Sequence, residues 1–247
     1  MKNRKRRNFT IVSIAVVMLA AVGAATLLYK NSRFELQING EQIEKDAYLM
    51  CMELVEYDTE MQIQQQYDAK YGEDFWEMEY DGKYGYEILA ENSIEKLKHI
   101  QAVYKLAEQY GDVPDGSFEA VKSRWEAENA SRAEKVANNE VIYGLKEYTF
   151  ELYLQYELSM CKEAYCNDYD REDMELTEEE IQEYYSNGEW IFGESEEKAD
   201  LETARVAVER EMREKRYDDK IAHMMEDSKV DGDRETVNRF TLKHIEK

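Results

Sequence analysis

One proline, Pro114, and 11 glycines in 247 residues leave this chain with almost nothing to interrupt a helix. Glu, Lys, Ala, Leu and Gln fill the space between them, and these residues lose little on entering a helix. Apolar positions recur at spacings of three and four, as a helix with one buried face requires. Ile43, Ala47, Met50, Cys51, Leu54 and Met61 mark a first helix over 43–71. Leu89, Leu97, Ile100, Tyr104 and Ala107 mark a second over 86–110, closed by Gly111. A third starts at the cap residue Ser117 and runs towards Ala137. A fourth covers 145–166, with Phe150, Tyr153, Leu154, Leu158, Cys161 and Tyr165 inward. Thr177 and Glu180 form a capping box for a short fifth, and a sixth runs from Asp200 to Asp227. The expected fold class is mainly α.

Two stretches at the ends of this series alternate at period two instead. One is 34–39, followed by the Asn39-Gly40 turn, and the other is 237–245, through Phe240 and Leu242. Either strand alone would leave its backbone groups unpaired, so the two are expected to pair with each other.

The first 33 residues differ from the rest. They hold seven Lys and Arg and no acid, and residues 9–29 (FTIVSIAVVMLAAVGAATLLY) carry no charge. A helix of that length matches the roughly 30 Å hydrocarbon core of a bilayer. It exceeds the apolar core of a cleaved signal, which favours an uncleaved signal anchor over cleavage among the small residues at 21–25. Five basic residues precede the run and two follow it. The expectation is therefore a cytoplasmic segment at 1–8, a transmembrane helix at 9–29 and an extracytoplasmic body at 34–247, hence a single-pass protein of the cell membrane.

Without its first 33 residues the chain has 25 Lys and Arg against 55 Asp and Glu, a net charge of −30. Such a body repels nucleic acid. Its three cysteines, Cys51, Cys161 and Cys166, cannot form a complete disulfide framework. Cys161 and Cys166 lie five apart on one helix, a poor geometry for a bond between them. That leaves three buried thiols, or one bond from Cys51 to either partner.

Little in the sequence points to catalysis. His99, His223 and His244 fall on separate elements, without a second His or a Cys at ligand spacing, and no zinc, phosphate-loop or nucleophile-elbow pattern occurs. The acidic run 168–173 lacks the central Gly and terminal Glu of a calcium loop. Asn129-Ala-Ser131 fits a glycosylation acceptor, a triplet common by chance. No catalytic, cofactor or metal residue is assigned. More suggestive are the aromatics of two connectors, 72–85 and 186–199. Phe75, Trp76, Tyr80, Trp190 and Phe192 either tuck onto the helices or form an open surface for apolar polypeptide.

Four segments, in order, resemble the non-catalytic chaperone portion of the SurA/PrsA family of foldases. They are LQINGEQIE at 36–44, ILAENSIEKLKHIQAVYKLAEQYG at 88–111, YGLKEYTFELYL at 143–154 and LTEEEIQEYY at 176–185. The resemblance implies a helical body closed by N- and C-terminal strands, and ATP-free binding of unfolded exported proteins. Many members insert a prolyl isomerase domain after the segment matching 176–185. Here only 186–199 stands in that place, so no isomerase activity is expected. The expectation is a membrane-anchored chaperone-like protein that is not an enzyme. The alternatives are an adaptor for one dedicated envelope partner and, more remotely, a residual isomerase.

Overall fold

The computed structural model describes residues 34–193 and 197–245, which form two compact units. The element order is β1 (Leu36–Ile38), β2 (Glu41–Gln42), α1 (Lys45–Tyr67), β3 (Glu79–Tyr80), β4 (Lys83–Tyr84), α2 (Gly85–Tyr110), α3 (Phe118–Ala137), α4 (Phe150–Asn167), α5 (Glu178–Asn187), α6 (Leu201–Glu226), β5 (Val230–Gly232) and α7 (Arg234–His244). One unit comprises the described residues up to Ile94 together with those from Lys229 onward, and the other is Glu95–Ser228.

In the first unit β1 is the central strand of an antiparallel sheet, ordered β2-β1-β5. Asn39 and Gly40 both take positive φ, 55° and 81°, which closes the tight β1–β2 hairpin. Leu36 pairs with Gly232 and Ile38 with Val230, and the Asn39 side chain accepts from the Lys229 amide. A side chain at Gly232 would collide with the Glu35 carbonyl at 2.3 Å, so this close crossing requires glycine. The strand that pairs with β1 is therefore 230–232, and 237–244 belongs to helix α7, with Ile245 as its C-cap. Two features decide for helix. Asp233 caps it by accepting from the Glu235 amide, and the buried Thr236, Val237 and Thr241 recur at helical spacing. The period-two pattern through Phe240 and Leu242 was incidental to that spacing. Tyr48 of α1 hydrogen-bonds Thr241, and Phe34, Tyr48 and Phe240 form an aromatic cluster.

The second unit packs α4 and α5 against α6, and α3 against α4. Gly111, at φ 78°, ends α2, and both bonds of the Thr177–Glu180 capping box start α5. Ile181, Trp190, Ala204, Val208 and Met212 build one core cluster between α5 and α6. Arg171 is buried between the rings of Tyr110 and Tyr165, at 4.6 and 4.5 Å, and is held by Asp112 and Asp168.

The transmembrane helix expected at 9–29 lies outside the described residues. Among the described residues no helix is long and apolar enough to cross a membrane. The two longest, α2 and α6, reach 26 residues but carry charged side chains along their length. The fold class is accordingly corrected from a helical body behind a transmembrane helix to a mainly helical protein. The single-pass membrane localisation, and the membrane partnership it implied, are withdrawn with it.

Candidate functional site

The aromatic residues expected to contact a client are mostly packed inward. Residues 72–85 fold into a 3-10 turn followed by the β3–β4 hairpin, whose Asp81-Gly82 turn has φ 52° and 85°. Phe75, Trp76 and Tyr80 are buried there, and the Tyr80 hydroxyl donates to the Phe75 carbonyl at 2.9 Å. Trp190 is buried in the other unit and donates to the Tyr185 carbonyl. Of the five, Phe192 alone is exposed, beside exposed Ile191. Four of the five are therefore core residues of their own units.

A different surface emerges from the helical arm α3–α4. Its inner side is a buried polar lock. Arg124 donates to both carboxylate oxygens of Glu157, at 2.7 and 2.9 Å, and the hydroxyls of Tyr104 and Tyr153 donate to the same group at 2.6 and 2.9 Å. Burial pushes the Glu157 pKa up, but the bonds from Arg124, Tyr104 and Tyr153 outweigh it and hold the carboxyl below its usual range. Burial first, then the neighbouring Glu157, raise the pKa values of Tyr104 and Tyr153, so both remain donors at neutral pH.

The arm's tip, 138–149, is fastened by side chains of α3 in place of a backbone ladder. Arg132 donates to the carbonyls of Tyr143 and Leu145 and lies 4.5 Å over the Tyr148 ring. Asn129 donates to the Tyr148 carbonyl and accepts from the Tyr148 amide, and Trp125 donates to that carbonyl too. Both functions of the Asn129 amide are thus spent on the tip, which explains this residue without a glycan. The loop so held presents Val141, Tyr143 and Leu145 to solvent, with Tyr143 86% exposed.

The outer side of α4 continues this surface. Residues four apart on a helix lie nearly in line, offset by about 40°. Leu152, Tyr156, Met160 and Ala164 form one such row, all exposed. Glu151, Gln155, Ser159 and Glu163 form the adjacent row. Between its two carboxylates the half-exposed charge is Lys162, at the margin of the face and paired with Asp218 of α6 at 2.7 Å, in a chain that is 35% charged. Tyr148 stacks on Tyr156 at 5.6 Å and 17°, which joins the tip to the row. The inward stripe expected on this helix is buried at Tyr153, Leu154, Leu158, Cys161 and Tyr165. The outer row was missed because it lies beside the inner one in sequence. Its signal is a helix with apolar residues on two faces, where one suffices for packing.

Among the described residues, nothing else gathers reactive groups. Cys51, Cys161 and Cys166 are buried thiols that form no disulfide, so the bond considered for Cys51 is not made, and burial pushes the Cys161 and Cys166 thiols up to about 11. His223 and His244 each hold Nδ1 against the carbonyl four residues back, at 2.6 and 2.7 Å. In the acidic run 168–173, Asp168 is taken by Arg171 and Asp173 by Lys220 and Tyr165. Among the described residues no group of three or more His, Cys, Asp or Glu could hold a metal ion.

No family model matches the chain, and no solved structure matches it significantly. The chain is similar to a curated protein of Bifidobacterium longum subsp. longum named "Chaperone for lacto-N-biosidase". The two are 30% identical over 184 residues, which cover 74% of this chain and 66% of the relative, so the chain spans just under two thirds of that relative's length. That similarity suggests a chaperone-type family for this chain, and membership of the SurA/PrsA family is not shown.

Proposed function

We propose that this protein is an ATP-independent, non-catalytic chaperone that holds a polypeptide client against the outer face of α4 and the apolar tip of the α3–α4 arm. The observation that carries this reading is the row Leu152, Tyr156 and Met160, left in water on a helix whose other face is fully packed. An apolar surface costs free energy while exposed and repays it only when something covers it. The likeness to a chaperone-named protein supports the reading, and the sequence holds no phosphate-cradling loop that would couple it to ATP. The test is aggregation suppression by the full chain, with chemically unfolded lysozyme and α-lactalbumin as clients at low and high salt. Suppression that persists at high salt is expected, because screening weakens charge attraction and leaves apolar capture intact. No suppression at any salt removes the reading as a general holdase.

The relative's name, which specifies one enzyme, favours a narrower form in which a single dedicated client occupies this face. Crosslinking in the native cell separates the two. One stoichiometric partner is the outcome expected of a dedicated chaperone, and a broad set of unfolded chains is expected of a holdase.

A further inference from the structure

We propose that the outer face of α4 is a seat for one amphipathic helix of the client, with an apolar side and Lys or Arg near both ends. This rests on the chaperone reading and specifies what it binds. The row Leu152, Tyr156 and Met160 is a ridge along the i, i+4 direction, the relief against which the side chains of a second helix interdigitate. Beside it, Gln155 and Ser159 offer hydrogen bonds without charge, and Glu151 and Glu163 close the row at its two ends. Those carboxylates are about 18 Å apart along the axis, and neither forms an ion pair among the described residues. Lys162, at the margin of the face, is drawn to Asp218 of α6, which leaves an apolar middle with an acid at each end, complementary to a segment with an apolar middle and a base at each end. The net charge of −30 over residues 34–247 selects in the same direction, against acidic segments.

The probe is a synthetic helical peptide with one leucine row and lysines near both ends, alongside a twin carrying glutamates at the ends. Binding to the full chain is followed by fluorescence anisotropy. The wild type is expected to prefer the lysine peptide by at least about tenfold, as two exchanged charge pairs allow. The variant L152S/Y156S/M160S should lose about tenfold or more for that peptide with an unchanged circular dichroism spectrum. The variant E151K/E163K should reverse the preference towards the glutamate peptide, a swap that damage to the fold cannot produce. Equal binding of both peptides by wild type and E151K/E163K overturns the seat. So does a dimer, seen by sedimentation, that L152S/Y156S/M160S dissolves, because a second copy then covers the face. The two readings fail separately. Undiminished aggregation suppression by both variants leaves a chaperone whose seat lies elsewhere, and absence of suppression by the wild type removes the chaperone reading itself.

Discussion

Helices α4 and α6 pack against each other in one unit, yet they meet water with opposite chemistry. Along α6 the solvent side is laced with ion pairs: Arg205 with Glu209, Arg210 with Glu214 and Lys215 with Asp219, each four residues apart. Arg205 also reaches Glu178 of α5. Such a face is hydrated and gains nothing by being covered. On α4 the ion pair of Lys162 with Asp218 of α6 lies at the margin, and the solvent side between exposes Leu152, Tyr156 and Met160. The difference lies in where each helix is anchored. α4 is fixed from its inner side by the Arg124–Glu157 lock, so beyond the Tyr148–Tyr156 stack its outer face has no structural duty. A face without structural duty can keep a sequence that suits a partner.

The sharpest way to break this comparison is to remove the inner anchor. Arg124→Ala leaves the Glu157 carboxylate, 8% exposed as a residue, without its counter-charge. The expected loss is about 3–5 kcal/mol of stability in urea unfolding, the range for breaking one partner of a buried pair. The pH dependence carries the same signature. The folded pKa of Glu157 lies below its unfolded value, so its contribution is complete above the ordinary carboxylate pKa and is lost as pH falls through the folded one. Stability of the wild type should drop on acidification below about pH 4, and Glu157→Gln should flatten that part of the profile. A loss below about 1 kcal/mol in Arg124→Ala would mean that α4 is held by apolar packing alone.

Next in size is the tip. Asn129→Ala removes one bond to each polar atom of the Tyr148 backbone, and a cost of about 1–2 kcal/mol is expected. Faster amide exchange confined to 138–149 would show that the tip is held by α3, and exchange rising throughout the unit would show that Asn129 serves the whole arm.

These two sites show how legible the molecule was. Helix starts could be read because a cap is local: Ser117, Thr177 and Asp200 each accept from a backbone amide three residues on. The Asn39-Gly40 turn could be read for the same reason. The strand Val230–Gly232 could not, because its three residues, VDG, have no pattern of their own and become a strand only by lying beside β1. The β3–β4 hairpin was hidden inside a stretch that reads as an acidic connector, although its Asp81-Gly82 turn is a hairpin signal. The Glu157 lock joins residues 53 and 33 positions apart, a relation no local spacing encodes. Sequence thus marked the aromatic residues of two connectors as candidates, when all of them but Phe192 pack into the core. The exposed apolar surface lay on a helix already explained by its other face.

Replacing the outer row of α4 tests whether that face is free of structural duty. L152S/Y156S/M160S is expected to change stability by no more than about 0.5 kcal/mol per site, the range for exposed positions. A loss of several kcal/mol would show that the row stabilises the unit itself, and the contrast with α6 would collapse from that side.

The smallest expected effect tests the other side. Arg210 and Glu214 meet at 3.2 Å with side chains 77% and 40% exposed. Arg210→Ala should cost about 0.3 kcal/mol at low salt, and nothing measurable at high salt, because both groups remain hydrated when the pair is lost. The measurement is urea unfolding at two ionic strengths. A salt-independent loss above about 1 kcal/mol would mean that the pair is shielded from solvent ions. The outer face of α6 would then be built to hold something as well, and absence of charge would no longer be what marks α4 as the face left for a partner.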